Sequence, residues 1–243
     1  MKKKLFYLPA ILLAITFCLQ GCDKDDNGDD NGGGGSGGGN PSIAFSVSVN
    51  GNITPENFVT GAAGTVTFSR FPTNVNEWKQ AQTQIGGTLP GAVALQIMAS
   101  EMYRRNNTVG TECIKLGLVS SSHNSYINLI RNVVGPRPYQ FAAYLKGSSW
   151  GNGYNPTKPY TIEMFVTPTS IREYSNTYQA DYFKFFVKSN GHDTNDGLQP
   201  VVVVKTAKPG EPGEGKYYII EEASTIYVQC RERSFSAPFN GLD

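Results

Sequence analysis

The stretch Thr88-Leu89-Pro90-Gly91-Ala92-Val93-Ala94-Leu95-Gln96-Ile97-Met98-Ala99-Ser100-Glu101-Met102-Tyr103-Arg104-Arg105 decides the fold class. Thr88 stands where a helix N-cap accepts a free N–H, and Pro90 suits the first turn, where its missing donor is not needed. Val93, Ile97, Met98 and Met102 then recur at helical spacing as a broad apolar face, with Gln96, Ser100 and Arg104 opposite. The spacing predicts an amphipathic helix, and a methionine-containing stripe at this period reads as core.

Working outward, a shorter helix precedes it. Val75, Trp78, Gln82 and Ile85 share one face, Asn74 with Glu77 forms a capping pair, and Gly86-Gly87 ends the run. A third helix is predicted from Ser122 through Tyr126, Ile130 and Val133, stopped by Gly135-Pro136. On the N-terminal side, Ile43, Phe45, Val47 and Val49 alternate with small and polar residues, and Val66 with Phe68 repeats the pattern, which predicts a β-ribbon or two edge strands. Beyond Pro138 the period is two. Tyr160, Ile162, Met164 and Val166 alternate with Thr161, Glu163, Phe165 and Thr167, and Phe183, Phe185 and Val187 alternate with lysines. Val201 to Val204, Tyr217 to Ile220 and Ile226 to Cys230 add three strands, joined by short connections that favour antiparallel neighbours. The expected fold is α+β: an N-terminal β-ribbon, about three helices, then a four- to five-stranded antiparallel sheet covered on one face by the helices.

The N-terminus reads as an address. Lys2, Lys3 and Lys4 precede an apolar run from Leu5 to Leu19 that is shorter than the roughly 20 residues of a spanning helix. It ends in Leu19-Gln20-Gly21-Cys22, which resembles the lipobox of bacterial lipoproteins, whose cysteine is diacylated and becomes the first mature residue. That resemblance implies a signal peptide over residues 1–21, a lipid bilayer as partner through Cys22, and an outer-membrane lipoprotein. Residues 22–41 are acidic and then glycine-dominated, a composition that buries too little apolar area to fold. They form a tether with a reach on the order of 25 Å. The aspartates directly after Cys22 resemble the surface-export signal of lipoproteins in one phylum of outer-membrane bacteria, which implies display at the cell surface, the periplasmic face being the alternative. Residues 42–243 are expected to make one globular domain.

Charge and cysteine content bound the function. From Pro41 onward 17 Lys and Arg face 15 Asp and Glu, so no basic field gathers nucleic acid. Cys18 leaves with the leader and Cys22 carries lipid, which leaves Cys113 and Cys230 either to pair across a long loop or to stay buried as thiols. His123 and His192 are the only histidines, and no Cys or His pair has ligand spacing, so no metal and no cofactor is expected.

The candidate ligand-binding residues are Trp150, Tyr154, Asn155, Lys158 and Tyr160, in a segment where aromatics alternate with small, polar and rigid residues. Flat apolar faces beside amides suit a glycan or a peptide of an envelope protein. Enzyme readings are weaker. Glu221 and Glu222, adjacent on a strand, are expected on opposite faces, so neither could complete a glycosidase pair with the other. Glu163 with one of them remains the hydrolase alternative. The serines before His123 read as the polar start of a helix, since no nucleophile elbow is present.

Three stretches carry a family resemblance: Leu89-Pro90-Gly91-Ala92-Val93-Ala94-Leu95 continuing to Glu101-Met102-Tyr103-Arg104-Arg105, then Tyr144-Leu145-Lys146-Gly147, then Tyr154-Asn155-Pro156-Thr157-Lys158-Pro159-Tyr160. Together they resemble an uncharacterised domain family of bacterial lipoproteins and secreted proteins, over about Thr73 to Tyr227. The resemblance implies one extracytoplasmic domain and brings no catalytic residue, substrate or cofactor. Metabolic labelling with a fatty acid is expected to mark the wild-type chain and not Cys22→Ala; label retained on the variant would remove the anchor assignment.

Overall fold

Seven strands form one antiparallel sheet: β1 Val47–Gly51, β2 Ala63–Phe68, β3 Tyr160–Phe165, β4 Ile171–Ser175, β5 Ala180–Lys188, β6 Leu198–Val204 and β7 Ile219–Glu222. The order is β1-β2-β3-β5-β6-β7, and β4 pairs with the first half of β5. This computed structural model describes residues 44–191, 197–223, 230 and 237–243. The apolar leader, Cys22, the tether, His192 and the strand expected at Ile226 to Cys230, apart from Cys230 itself, lie outside the described residues. Among the described residues no helix is long and apolar enough to cross a membrane.

Period-two alternation sends Val66, Phe68, Ile162, Met164, Phe183, Phe185, Val187, Val201 and Val203 to one face, all buried in a core shared with the helices. The α+β class and the strand–helix–strand order agree with the sequence, and the sheet is wider than expected. The N-terminal ribbon is not separate. Its second strand pairs with β3 over six residues, Ala63 opposite Phe165 through Phe68 opposite Tyr160, so the ribbon extends the sheet by two strands. β4 went unread because Arg172, Glu173 and Tyr174 interrupt its apolar pattern, and these residues are exposed in the structure.

Four helices pack on the core face: α1 Val75–Ile85, α2 Leu89–Arg105, α3 Asn107–Gly117 and α4 His123–Val134. The caps are those the sequence names. Glu77 N–H donates to Asn74 Oδ1 at 3.0 Å and Gly91 N–H to Thr88 Oγ1 at 3.0 Å. Glu77 in turn receives both prongs of Arg70 at 2.7 and 2.8 Å, which holds its carboxyl at about 2.

The opposite face of α2 corrects the amphipathic reading. Gln96 is 1% exposed and Ser100 is 0% exposed, because the end of α3 at Gly117 lies against Gln96 and Tyr126 of α4 lies against Ser100, on the side expected to meet water. The sequence gives no sign of α3: Asn107, Thr108, Val109, Gly110 and Thr111 are weak helix formers. Tertiary contact overrides that propensity. Asn106 ends α2 and caps α3, its Oδ1 accepting from the N–H groups of Thr108 and Val109. Gly110 then lets the two helices touch, since a Cβ there would lie 2.1 Å from Tyr103 Cα, inside any allowed contact.

Gly110→Ala is therefore expected to unfold at markedly lower temperature than wild type, whereas Gly135→Ala, where a Cβ meets nothing within 4 Å, leaves the midpoint nearly unchanged. Equal melting midpoints for the two variants would sink this account of the α2–α3 crossing.

Candidate functional site

The segment from Gly147 to Tyr160 is built by its own asparagines. Asn152 Oδ1 accepts from the N–H groups of Ser149 and Asn155 at 2.9 and 3.2 Å, and its amide donates to the carbonyls of Gly147 and Asn155. This network folds the loop back on itself. Tyr154, at φ 59°, is driven inward, fully buried and stacked on Tyr139 with centroids 4.9 Å apart. Trp150, by contrast, is 40% exposed at the loop's tip.

The other three candidates meet the C-terminal tail. Asn155 donates to the Pro238 carbonyl at 2.8 Å and accepts from Asn240 N–H at 2.9 Å. Lys158 pairs with the Asp243 carboxylate, Tyr160 donates to the same oxygen at 3.0 Å, and Phe71 N–H reaches the other oxygen at 3.1 Å. Arg105 donates to the Leu242 carbonyl, and Leu242 itself is buried. Asn155, Lys158 and Tyr160 thus act as a clasp on residues 238–243. Asn155 and Tyr160 bond the chain's own backbone and carboxylate, the half-exposed Lys158 pairs with the same carboxylate, and Tyr154 and Tyr160 are buried.

Cys113 and Cys230 are buried thiols with no disulfide between them. Burial pushes Cys113 up to about 12 and Cys230 up to about 11, so neither is a nucleophile at neutral pH. His123 starts α4 with Nε2 2.8 Å from the Leu118 carbonyl, and Ser125 Oγ donates to the Ser122 carbonyl at 3.0 Å, so the serine–histidine run is a helix start. Glu163 lies between Lys146 and Lys188, 3.6 Å from each ammonium. It sits on β3, three strand spacings from β7, roughly 14 Å before any offset along the strands. That is a backbone separation, and Glu163 is engaged by Lys146 and Lys188 and not by either glutamate of β7.

The edge of β7 holds the arrangement that the sequence could not reveal. Val202 pairs with Glu222 and Val203 with Ile220, which leaves Glu221 as the extra residue of a β-bulge. Strict alternation fails there, and both glutamates border the same two clefts. One, of about 280 Å³, lies toward α4 and is lined by Leu118, Ser122, Ser125, Tyr126 and Leu129. The other, of about 380 Å³, is lined by Ser175, Tyr178, Tyr182, Lys184 and Val202. Burial first, and then the neighbouring Glu222 charge, raise the Glu221 carboxyl above its ordinary value. Tyr182 OH donates to Glu173 at 2.6 Å and holds its ring beside the cleft. The bulge breaks the strict alternation on which the expectation that Glu221 and Glu222 face apart rested, and both glutamates border each cleft. No residue pattern announces it, because it arises from pairing with β6.

Among the described residues no group of three or more His, Cys, Asp and Glu side chains is placed to hold a metal ion. A family model described as a domain of unknown function (DUF6935) matches residues 70–234, more than half of the chain. No curated protein and no solved structure matches it.

The sign of the Glu221 shift sets a pH dependence. A carboxyl raised in the folded state contributes stability below its unfolded value of about 4.5 and loses that contribution as pH rises through the folded value. Glu221→Gln is expected to match or exceed wild-type thermal stability at pH 7, with the advantage vanishing below about pH 4. A variant less stable than wild type at pH 7 would overturn this reading of the carboxyl.

Proposed function

The chain belongs to the DUF6935 family, and on that premise we propose that it is a membrane-tethered lipoprotein, anchored through Cys22 and displayed at the cell surface, whose domain binds an extracellular ligand without turning it over. The observation that carries this reading is the convergence of Glu221 and Glu222 with the serines and tyrosines of two adjoining clefts at the β7 edge. Carboxylates and hydroxyls accept and donate hydrogen bonds, and tyrosine rings offer flat faces, a combination suited to the hydroxyl-rich rings of a glycan. Clefts of this size admit one or two such rings at a time, with the rest of a polymer running outside.

The same bulge favours a second reading. A carboxyl of raised pKa beside a second carboxyl is the pairing that glycoside hydrolases use as acid and base. The two readings part in one experiment. Full-length protein is titrated with envelope and dietary glycans, and products are followed by reducing-end assay, alongside Glu221→Gln, Tyr182→Phe and Trp150→Ala. Binding weakened severalfold by Glu221→Gln, with no product from any form, supports the binding module. Product formation that Glu221→Gln abolishes replaces it with a hydrolase. Binding lost only in Trp150→Ala would move the site to the aromatic loop.

A further inference from the structure

We infer that the free edge of β1, with the cleft at its end, docks an extended segment of a partner polypeptide that carries an acidic side chain. The two edges of the sheet are treated differently. β7 is closed on its outer side by a bridge to Leu118, with Val119 N–H donating to the Ile220 carbonyl at 2.9 Å, and by the bulge at Glu221. Among the described residues β1 has no such guard. Its sequence, Val47-Ser48-Val49-Asn50-Gly51, has no proline, no lysine and no bulge, the usual devices that keep an edge from pairing.

The register fixes which backbone groups point outward. Ser69 N–H donates to the Ser46 carbonyl and Asn52 N–H to the Ala63 carbonyl, so the even-numbered residues of β1 bond to β2. Antiparallel alternation then turns the N–H and C=O of Val47 and Val49 away from the sheet. Among the described residues nothing hydrogen-bonds to them. A strand laid along this edge would satisfy them through its own backbone, which gives affinity, while alternate side chains give selectivity.

The cleft at the end of β1 supplies the side-chain sites. It measures about 420 Å³ and is bordered by Val49 to Gly51, the Ile53–Glu56 segment, the start of α2, Lys205 and Tyr218. Ile53, Leu89 and Pro90 are buried there and make an apolar floor. The first turn of α2 is capped from within by Thr88, so that wall supplies shape and not charge. Two charged side chains border the cleft, Glu56 and Lys205. The Glu56 carboxyl is held low by its own backbone N–H, Thr54 and Arg172. The Lys205 ammonium stands 5.8 Å over the Tyr218 ring and makes no ion pair among the described residues, which leaves Lys205 as the uncompensated charge. A partner carboxylate at the cleft end would meet that cation, and an apolar side chain before it would meet the floor.

The test uses the full-length protein and a phage-displayed library of random eight-residue peptides, with selected sequences synthesised for anisotropy titration. Expected winners alternate apolar residues and carry Asp or Glu near one end. Val49→Pro removes an outward N–H and no bond to β2, so it is expected to fold and to weaken binding tenfold or more. Lys205→Gln is expected to erase the preference for an acidic peptide over its amide counterpart. If Val49→Pro does not fold, amide exchange on the wild type decides: peptide must slow exchange at Val47 and Val49. Failure to select peptides, binding that survives Val49→Pro in a folded variant, or unchanged exchange at Val47 and Val49 would overturn the inference. Wild-type dimerisation that Val49→Pro abolishes would replace the partner with a second copy of the chain. None of these outcomes depends on ligand binding at the β7 edge, so the two assignments stand or fall separately.

Discussion

Burial of α2 on all sides is the constraint from which the other packing follows. From Leu89 to Tyr103 every residue of the helix is buried, with the sheet beneath it and α3 against its other side. A helix so enclosed holds its polar groups away from water, and two of them find partners inside. Ser100 donates to the Gln96 carbonyl at 2.7 Å and lies 3.1 Å from the Tyr126 hydroxyl on α4. The carboxylate of Glu101, with a side chain 0% exposed, takes bonds from Arg104 and Arg105 together. A buried charge left alone would carry a desolvation penalty of several kcal/mol, so the two arginines are a structural requirement.

Arg105 carries that requirement outward. Its guanidinium serves Glu101, lies 5.0 Å over the Phe71 ring, and donates to the Leu242 carbonyl. The C-terminal tail is thereby tied to the buried helix through one side chain and to the 147–160 loop through Asn155, Lys158 and Tyr160. Asn155, Lys158 and Tyr160, which read from the sequence as a recognition surface, hold the tail, and Trp150 stays exposed in the same loop. The irregularities in pairing lie at the sheet edges, where β7 carries a bulge and the outward backbone groups of β1 bond to nothing among the described residues.

Much of the fold was legible in the residues. Asn74, Thr88 and Pro90 mark helix starts because their local chemistry can do little else, and the alternation at Tyr160 to Phe165 and Phe183 to Val187 fixes which side chains face the core. α3 was not legible, since Asn107 to Thr111 have poor intrinsic propensity and are held helical by close approach to Tyr103. The site was less legible still. Glu221 and Glu222 are visible as a pair, but the bulge at Glu221 exists only because β6 and β7 pair out of step.

The sequence by itself determined the class of fold, the caps and periods of its main elements, and the N-terminal pattern from Lys2 to Cys22, because each depends on neighbours within a few residues. Tertiary structure alone decided that the N-terminal ribbon joins the main sheet, that Asn155 and Tyr160 grip a tail more than 80 residues away, and that a bulge falls at the first of two adjacent glutamates at the β7 edge. Those outcomes depend on strand register and on contacts between distant segments. A one-residue shift in pairing reverses which face a side chain occupies, and nothing local in the chain records that shift.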